Sequence, residues 1–163
     1  MVNIHLFCVG KLKEKHFAAA CAEYEKRLGA FCKLTITELP EERLPDNPSQ
    51  AQIDAALEKE AANLFQKLPK GAKLIAMCVE GKLLSSEALA AQVEKWTVEG
   101  ASHLALVIGG SFGLHPSVKE RAQLRLSMSP MTFPHHLARV MVLEQVYRAF
   151  QINLGTRYQS DPE

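Results

Sequence analysis

The sequence predicts an α/β domain built on a mostly parallel sheet. Apolar runs of strand length alternate with longer stretches of helical periodicity along the chain. Two of the runs, Lys73–Val79 (KLIAMCV) and His103–Ile108 (HLALVI), are continuously apolar after their first residue. Strands covered on both faces read this way, whereas a sheet with one wet face alternates. With 163 residues, 47% of them apolar, the chain is long enough for one real core and is read as a single domain over residues 1–163.

The elements follow in order. Val2–Val9 has a strand's composition and is closed by Gly10. Lys11–Leu28 is predicted helical, because Leu12, Phe17, Ala20, Cys21, Tyr24 and Leu28 recur at helical spacing. Its other faces carry Lys11, Lys13, Lys15, Lys26 and Arg27, which fit either a solvated helix face or a patch turned to RNA. Lys33–Leu39 alternates as a strand does, and Pro40–Pro48, with three prolines, is an exposed loop. Ser49–Leu68 is a long helix with Ser49 as N-cap, stopped by Pro69 and Gly71. After the strand Lys73–Val79, Glu80-Gly81-Lys82 turns the chain. Ser85 or Ser86 caps a helix running to about Glu99, with Glu87 in its first turn. His103–Ile108 leads into Gly109-Gly110-Ser111-Phe112-Gly113, and Pro116 and Ser117 start a short helix. Leu124–Ser127 is a short strand, Met128–Pro134 a loop, and the remainder a helix in which Leu137, Val140, Met141, Glu144, Tyr147 and Arg148 recur by threes and fours.

Composition excludes several classes. A net charge of +1 argues against a polycation that coats nucleic acid, though a local basic patch remains compatible. No apolar run approaches the length of a membrane span. The basic residues of the N-terminus follow its apolar run, the reverse of a signal peptide, so a cytoplasmic location is expected. Cys8, Cys21, Cys32 and Cys78 form no CxxC pair and are expected to be buried free thiols. No HxxxH or HExxH occurs, so a metal site is not supported, and no activated-cysteine context points to nucleophilic hydrolysis.

Three pieces carry chemistry. Gly109, Gly110 and Gly113 follow a strand, where open α/β sheets bind ligands and where glycine lets a ligand approach the backbone. The pattern is not GxGxxG and no Walker lysine follows, so it is equally a tight strand-to-helix turn. Met128–Phe133 (MSPMTF) has the apolar side chains and free backbone groups to sandwich an adenine-like ring, or to plug the core. In the last helix the third candidate is the set His135, His136, Arg139, Glu144 and Arg148, in which His136 with Arg139 and Glu144 with Arg148 are spaced as neighbours, suited to surface ion pairs or to orienting a phosphate or carboxylate.

Taken together, Ile108–Gly113 (IGGSFG), Leu126–His135 (LSMSPMTFPH) and Leu137–Ile152 (LARVMVLEQVYRAFQI) resemble the RlmH family of ribosomal RNA methyltransferases, small members of the SPOUT superfamily. VGKLKEKHF near the N-terminus, Glu23–Leu28 and Glu80–Ala90 extend the resemblance over almost the whole chain. It implies a parallel sheet with helices on both faces and a C-terminal trefoil knot, a rare exception to ordinary chain connections. It implies S-adenosyl-L-methionine bound by Met77, Gly109, Met128, Ser129, Pro130, Met131, Thr132 and Phe133. It also implies a homodimer with the last helix at its interface, and methylation at N3 of a pseudouridine in helix 69 of 23S rRNA on the assembled 70S ribosome. The N3 proton is weakly acidic, so a base or cation that favours the anion assists transfer, and Arg139, Tyr158 and His136 are the expected catalytic residues. The family's tail reads proline, tyrosine, histidine and a basic residue. Here Tyr158 matches, but Arg157 replaces the proline and Gln159 the histidine. Glutamine is no base at neutral pH, so a cofactor- and ribosome-binding homologue with impaired catalysis is the alternative. A generic nucleotide-binding enzyme is a third reading.

Overall fold

The computed structural model describes residues 1–155, so Arg157, Tyr158 and Gln159 lie outside the described residues. The strands are β1 (Asn3–Val9), β2 (Lys33–Leu39), β3 (Lys73–Leu83), β4 (His103–Ile108) and β5 (Leu124–Ser127). The helices are α1 (Lys15–Leu28), α2 (Gln50–Lys67), α3 (Ser86–Val98), α4 (Pro116–Arg121) and α5 (His135–Asn153). The strands form one sheet in the order β2-β1-β4-β3-β5, and every described pairing is parallel.

Strand alternation divides the core into two layers. Ile4, Leu6 and Cys8 of β1 and Leu104, Leu106 and Ile108 of β4 face α1, α3 and α5, meeting Cys21, Leu28, Leu89, Trp96, Val142, Leu143 and Val146. Phe7, Val9, Ala105 and Val107 point the other way, onto Ala61 and Leu64 of α2, Val118 of α4 and Ala122 just after it. Phe7 and Leu28 are essentially sealed from water, and each such side chain contributes about 2 kcal/mol of burial. Helices therefore cover both faces, with α5 packed against α1 and α3.

Local chemistry sets the boundaries, with two departures from expectation and one choice between two expected caps. Helix α1 begins at Lys15 rather than Lys11, because the Leu12 amide donates to Glu38 Oε2 (3.0 Å) instead of entering a helix. Strand β3 runs on to Leu83 rather than ending at Val79: Met77 and Lys82 both pair with Leu126, so Cys78–Gly81 bulge between them. Bulges of this kind re-aim side chains. Ser85, not Ser86, caps α3 by accepting from the Ala88 amide, while the Ser86 hydroxyl donates to Gln145. As expected, Ser49 caps α2, here in a capping box with Gln52. No described helix is long and apolar enough to cross a membrane.

Candidate active site

The carboxyl ends of β3, β4 and β5, where the sequence reading puts the ligand, open into a cleft of about 780 Å³. This is the size of an ordinary small-molecule site. Three segments build it.

The first is the glycine turn. Gly113 donates to the Gly110 carbonyl (3.1 Å) and has a φ of +82°, which only glycine adopts without strain. A Cβ at Gly109 would lie 2.5 Å from the Gly113 carbonyl oxygen, so no side chain fits there and the backbone itself forms the wall. Glu41, from the proline-rich loop, accepts from the Ser111 amide (2.9 Å) and lies over Gly110, braced against the back of the turn.

The second is the loop after β5. The Ser127 hydroxyl donates to the Ser129 carbonyl (3.0 Å) and accepts from the Ser129 amide (3.2 Å), while Ser129 Oγ accepts from the Met131 amide (2.9 Å). These bonds hold an otherwise irregular loop so that Met128, Ser129, Met131, Thr132 and Phe133 line the cleft. Met128 packs back on the core, whereas Met131 and Phe133 are exposed at the mouth, apolar groups held open to solvent. Pro130 sits in the loop but not among the lining residues.

The third is the β3 bulge, which turns Cys78, Val79 and Glu80 into the wall beside Met77. Gly81 makes this possible, since a Cβ there would come within 2.8 Å of the backbone carbons of both Arg125 and Leu126. Sequence reading took these residues for a plain turn. The glycine between two charged residues was a signal of close backbone approach, but only the β5 pairing reveals what approaches.

Helix α5 starts at the cleft, and its first turn divides its residues. His135 and Ala138 line the cleft. His136 and Arg139, one stripe around, do not. His136 Nδ1 meets Glu14 Oε2 at 2.7 Å, and Arg139, only 5% exposed, donates from Nη1 to Glu38 Oε2 (2.9 Å) and from Nη2 to the Gly10 carbonyl (3.4 Å). Its Nε is buried without a partner among the described residues. Burial works against ionisation of Glu38, but the bonds from Arg139 and the Leu12 amide hold its carboxyl below the ordinary range. Burial and then the neighbouring His136 hold His135 below its ordinary value, which favours the neutral ring. The expected neighbours Glu144 and Arg148 do pair (3.0 Å), and Tyr24 donates to the same carboxylate.

Four free thiols lie in or beside the core. Cys8, Cys21 and Cys32 are buried, as expected, while Cys78 is half-buried in the cleft wall. Burial pushes Cys8 up to about 12, Cys32 up to about 11 and Cys78 upward too, which favours the protonated thiols. Among the described residues no group of three His, Cys, Asp or Glu side chains is placed to hold a metal ion.

What remains is a cleft with a backbone wall, apolar side chains at its mouth and a few charged groups. It suits a ligand with a flat ring and polar edges. Comparison with known proteins places the chain in a family. Residues 2–159 match the family described as "Predicted SPOUT methyltransferase". The chain is 46% identical, over 96% of its length and 99% of the relative's, to the ribosomal RNA large subunit methyltransferase H of Bifidobacterium animalis subsp. lactis. Among solved structures it is similar to a probable methylase family protein from Haemophilus influenzae Rd KW20 (15% identity, 96% of this chain and 69% of that one, TM-score 0.52). It is also similar to a putative methylase family protein from Neisseria gonorrhoeae (15% identity, 90% and 82%, TM-score 0.56). At that identity the two structures speak for the fold.

Proposed function

Because the chain belongs to the SPOUT methyltransferase family, we propose that it methylates large-subunit ribosomal RNA with S-adenosyl-L-methionine as donor. The observation that carries this reading is the cleft itself: Gly109 presents bare backbone opposite a loop of methionine and phenylalanine. Such a slot fits adenine, whose faces take apolar contact and whose edges take backbone hydrogen bonds. Met77, Gly109, Met128, Ser129, Met131, Thr132 and Phe133 would hold the donor, with Pro130 shaping the loop. When bound, the donor supplies an electrophilic methyl group on a sulfonium.

The protein's own part is to orient the acceptor and handle its proton. The target in this reading is N3 of a pseudouridine in helix 69 of 23S rRNA within the 70S ribosome. Tyr158 is assigned to the acceptor's side. Arg139 and His136 serve by position: their carboxylate partners fix the start of α5, and with it His135 and Ala138 at the cleft. A homodimer belongs to the same reading and is supported by Leu137, Val140 and Met141, which the single chain leaves only half-buried on α5. A knotted passage from β5 into α5 belongs to it as well, as does a cytoplasmic location. The crossover that carries the chain from β4 past β3 to the sheet edge at β5 is compatible with the knot.

The test is transfer of labelled methyl from S-adenosyl-L-methionine to 70S ribosomes lacking the helix 69 methyl group, with the product mapped. Label at N3 of one pseudouridine is expected. Intact donor binding without transfer would favour the impaired homologue, motivated by Gln159. The Gln159→His variant would then regain transfer. Absence of both binding and transfer would overturn the reading.

A further inference from the structure

The cleft wall carries one ion pair that the reading above leaves unused. Glu80, on the β3 bulge, and Lys119, on α4, both line the cleft, with Lys119 Nζ 2.5 Å from Glu80 Oε1. Both are held from behind. The close approach of Gly81 to the β5 backbone fixes the bulge that carries Glu80. Arg125 Nη1 donates to the Lys119 carbonyl (2.8 Å), tying the end of α4 to β5. The neighbouring lining is apolar, backbone or thiol: Met77, Cys78, Val79 and Phe112.

We propose that Glu80 and Lys119 bind the zwitterionic amino-acid end of the donor, the carboxylate receiving its ammonium and the lysine its carboxylate. This rests on the reading of the cleft as the donor site. An aminocarboxylate entering a largely apolar cleft loses water from two full charges and requires fixed charges of opposite sign there. An existing Glu–Lys pair supplies both in a complementary arrangement. It keeps itself neutral when the ligand is absent, and opening so short and partly exposed a contact costs little. Lysine reaches a carboxylate as a point charge on a flexible stem, so the pair can part without moving the backbone. The nucleoside end is left to the glycine turn and the Met128–Phe133 loop.

Calorimetry with two ligands separates this from a structural role. S-Adenosylhomocysteine carries the zwitterion, whereas 5′-methylthioadenosine shares the nucleoside and thioether but lacks it. Lys119→Met and Glu80→Gln are each expected to weaken S-adenosylhomocysteine roughly tenfold and to leave 5′-methylthioadenosine within about twofold. The double exchange Glu80→Lys with Lys119→Glu keeps an ion pair across the cleft but inverts it. It should remain as deficient as the single variants, whereas a purely structural bridge would be rescued. Equal losses for both ligands, no loss for either, or rescue by the exchange would overturn the proposal. If the unaltered protein bound neither ligand, the donor-site reading itself would fall, a result distinct from all of these.

Discussion

Two adjacent stripes of α5, offset by one residue, do different work. His135 and Ala138 border an open cleft and have no carboxylate within bonding distance among the described contacts. His136 and Arg139 turn toward α1 and the end of β2, each onto a carboxylate from another element. The i, i+3 spacing is the same in both pairs. What differs is what the rest of the fold brings to each stripe: backbone and apolar side chains to one, Glu14 and Glu38 to the other. The comparison shows that a charged residue beside a ligand site is not thereby a ligand residue. On the proposed reading the cleft stripe binds and the ionic stripe holds the helix that carries it.

The contrast can be broken most sharply from the cleft side. Gly109→Ala should lower donor affinity about a hundredfold by calorimetry, because the methyl would meet backbone that cannot swing away. Undiminished affinity would detach the glycine turn from the site. On the ionic side, Arg139→Ala should cost about 2–3 kcal/mol in urea unfolding. That is below the usual cost of breaking a buried pair, because Glu38, 39% exposed, can recover water. Donor affinity should change only a few-fold. Full stability with methyl transfer abolished would instead put the guanidinium in the chemistry.

Acid titration sharpens the same contrast. The folded-state pKa of Glu38 is depressed, so its contribution is present above its ordinary value of 4.5 and lost as pH falls through the folded value. Glu38→Gln should flatten that part of the acid limb in urea melts followed below pH 5, and an unchanged limb would remove the ion pair from the account. The smallest effect belongs to the histidines. His136→Gln should change stability only slightly, because the Glu14 carboxylate is half-buried and its pair partly wet. His135→Gln should leave stability alone and alter donor affinity or transfer. Exchange of those two outcomes would reverse the assignment of the stripes.

Much of the fold was legible beforehand because it depends on local pattern. The uninterrupted apolar runs at Lys73 and His103 could be stable only as covered parallel strands, and helices indeed cover both faces. Ser49 announced its helix through a bond to its own third neighbour. Misjudged boundaries have a long-range cause. Lys11–Glu14 have helical periodicity, but a carboxylate more than twenty residues away takes the Leu12 amide. Strand β3 outlasts its apolar run because β5 pairs again beyond the bulge.

The candidate site divides the same way. Gly109 and the Met128–Phe133 loop could be singled out from sequence as exposed backbone and apolar loop side chains, but those properties left a tight turn and a core plug open, and only the family resemblance pointed to a ligand. His135 against His136 was not decidable, because neighbouring residues on a helix differ only in what faces them. Glu80 and Lys119 are 39 positions apart, as their numbers give, and nothing local joins them. The sequence by itself determined the alternation of elements, the caps, and the two segments that must be loops with exposed backbone. Only the tertiary structure decided which side chains share the cleft, which charges neutralise one another, and which stripe of α5 borders the cleft, because those outcomes depend on pairings between strands and helices far apart in the chain.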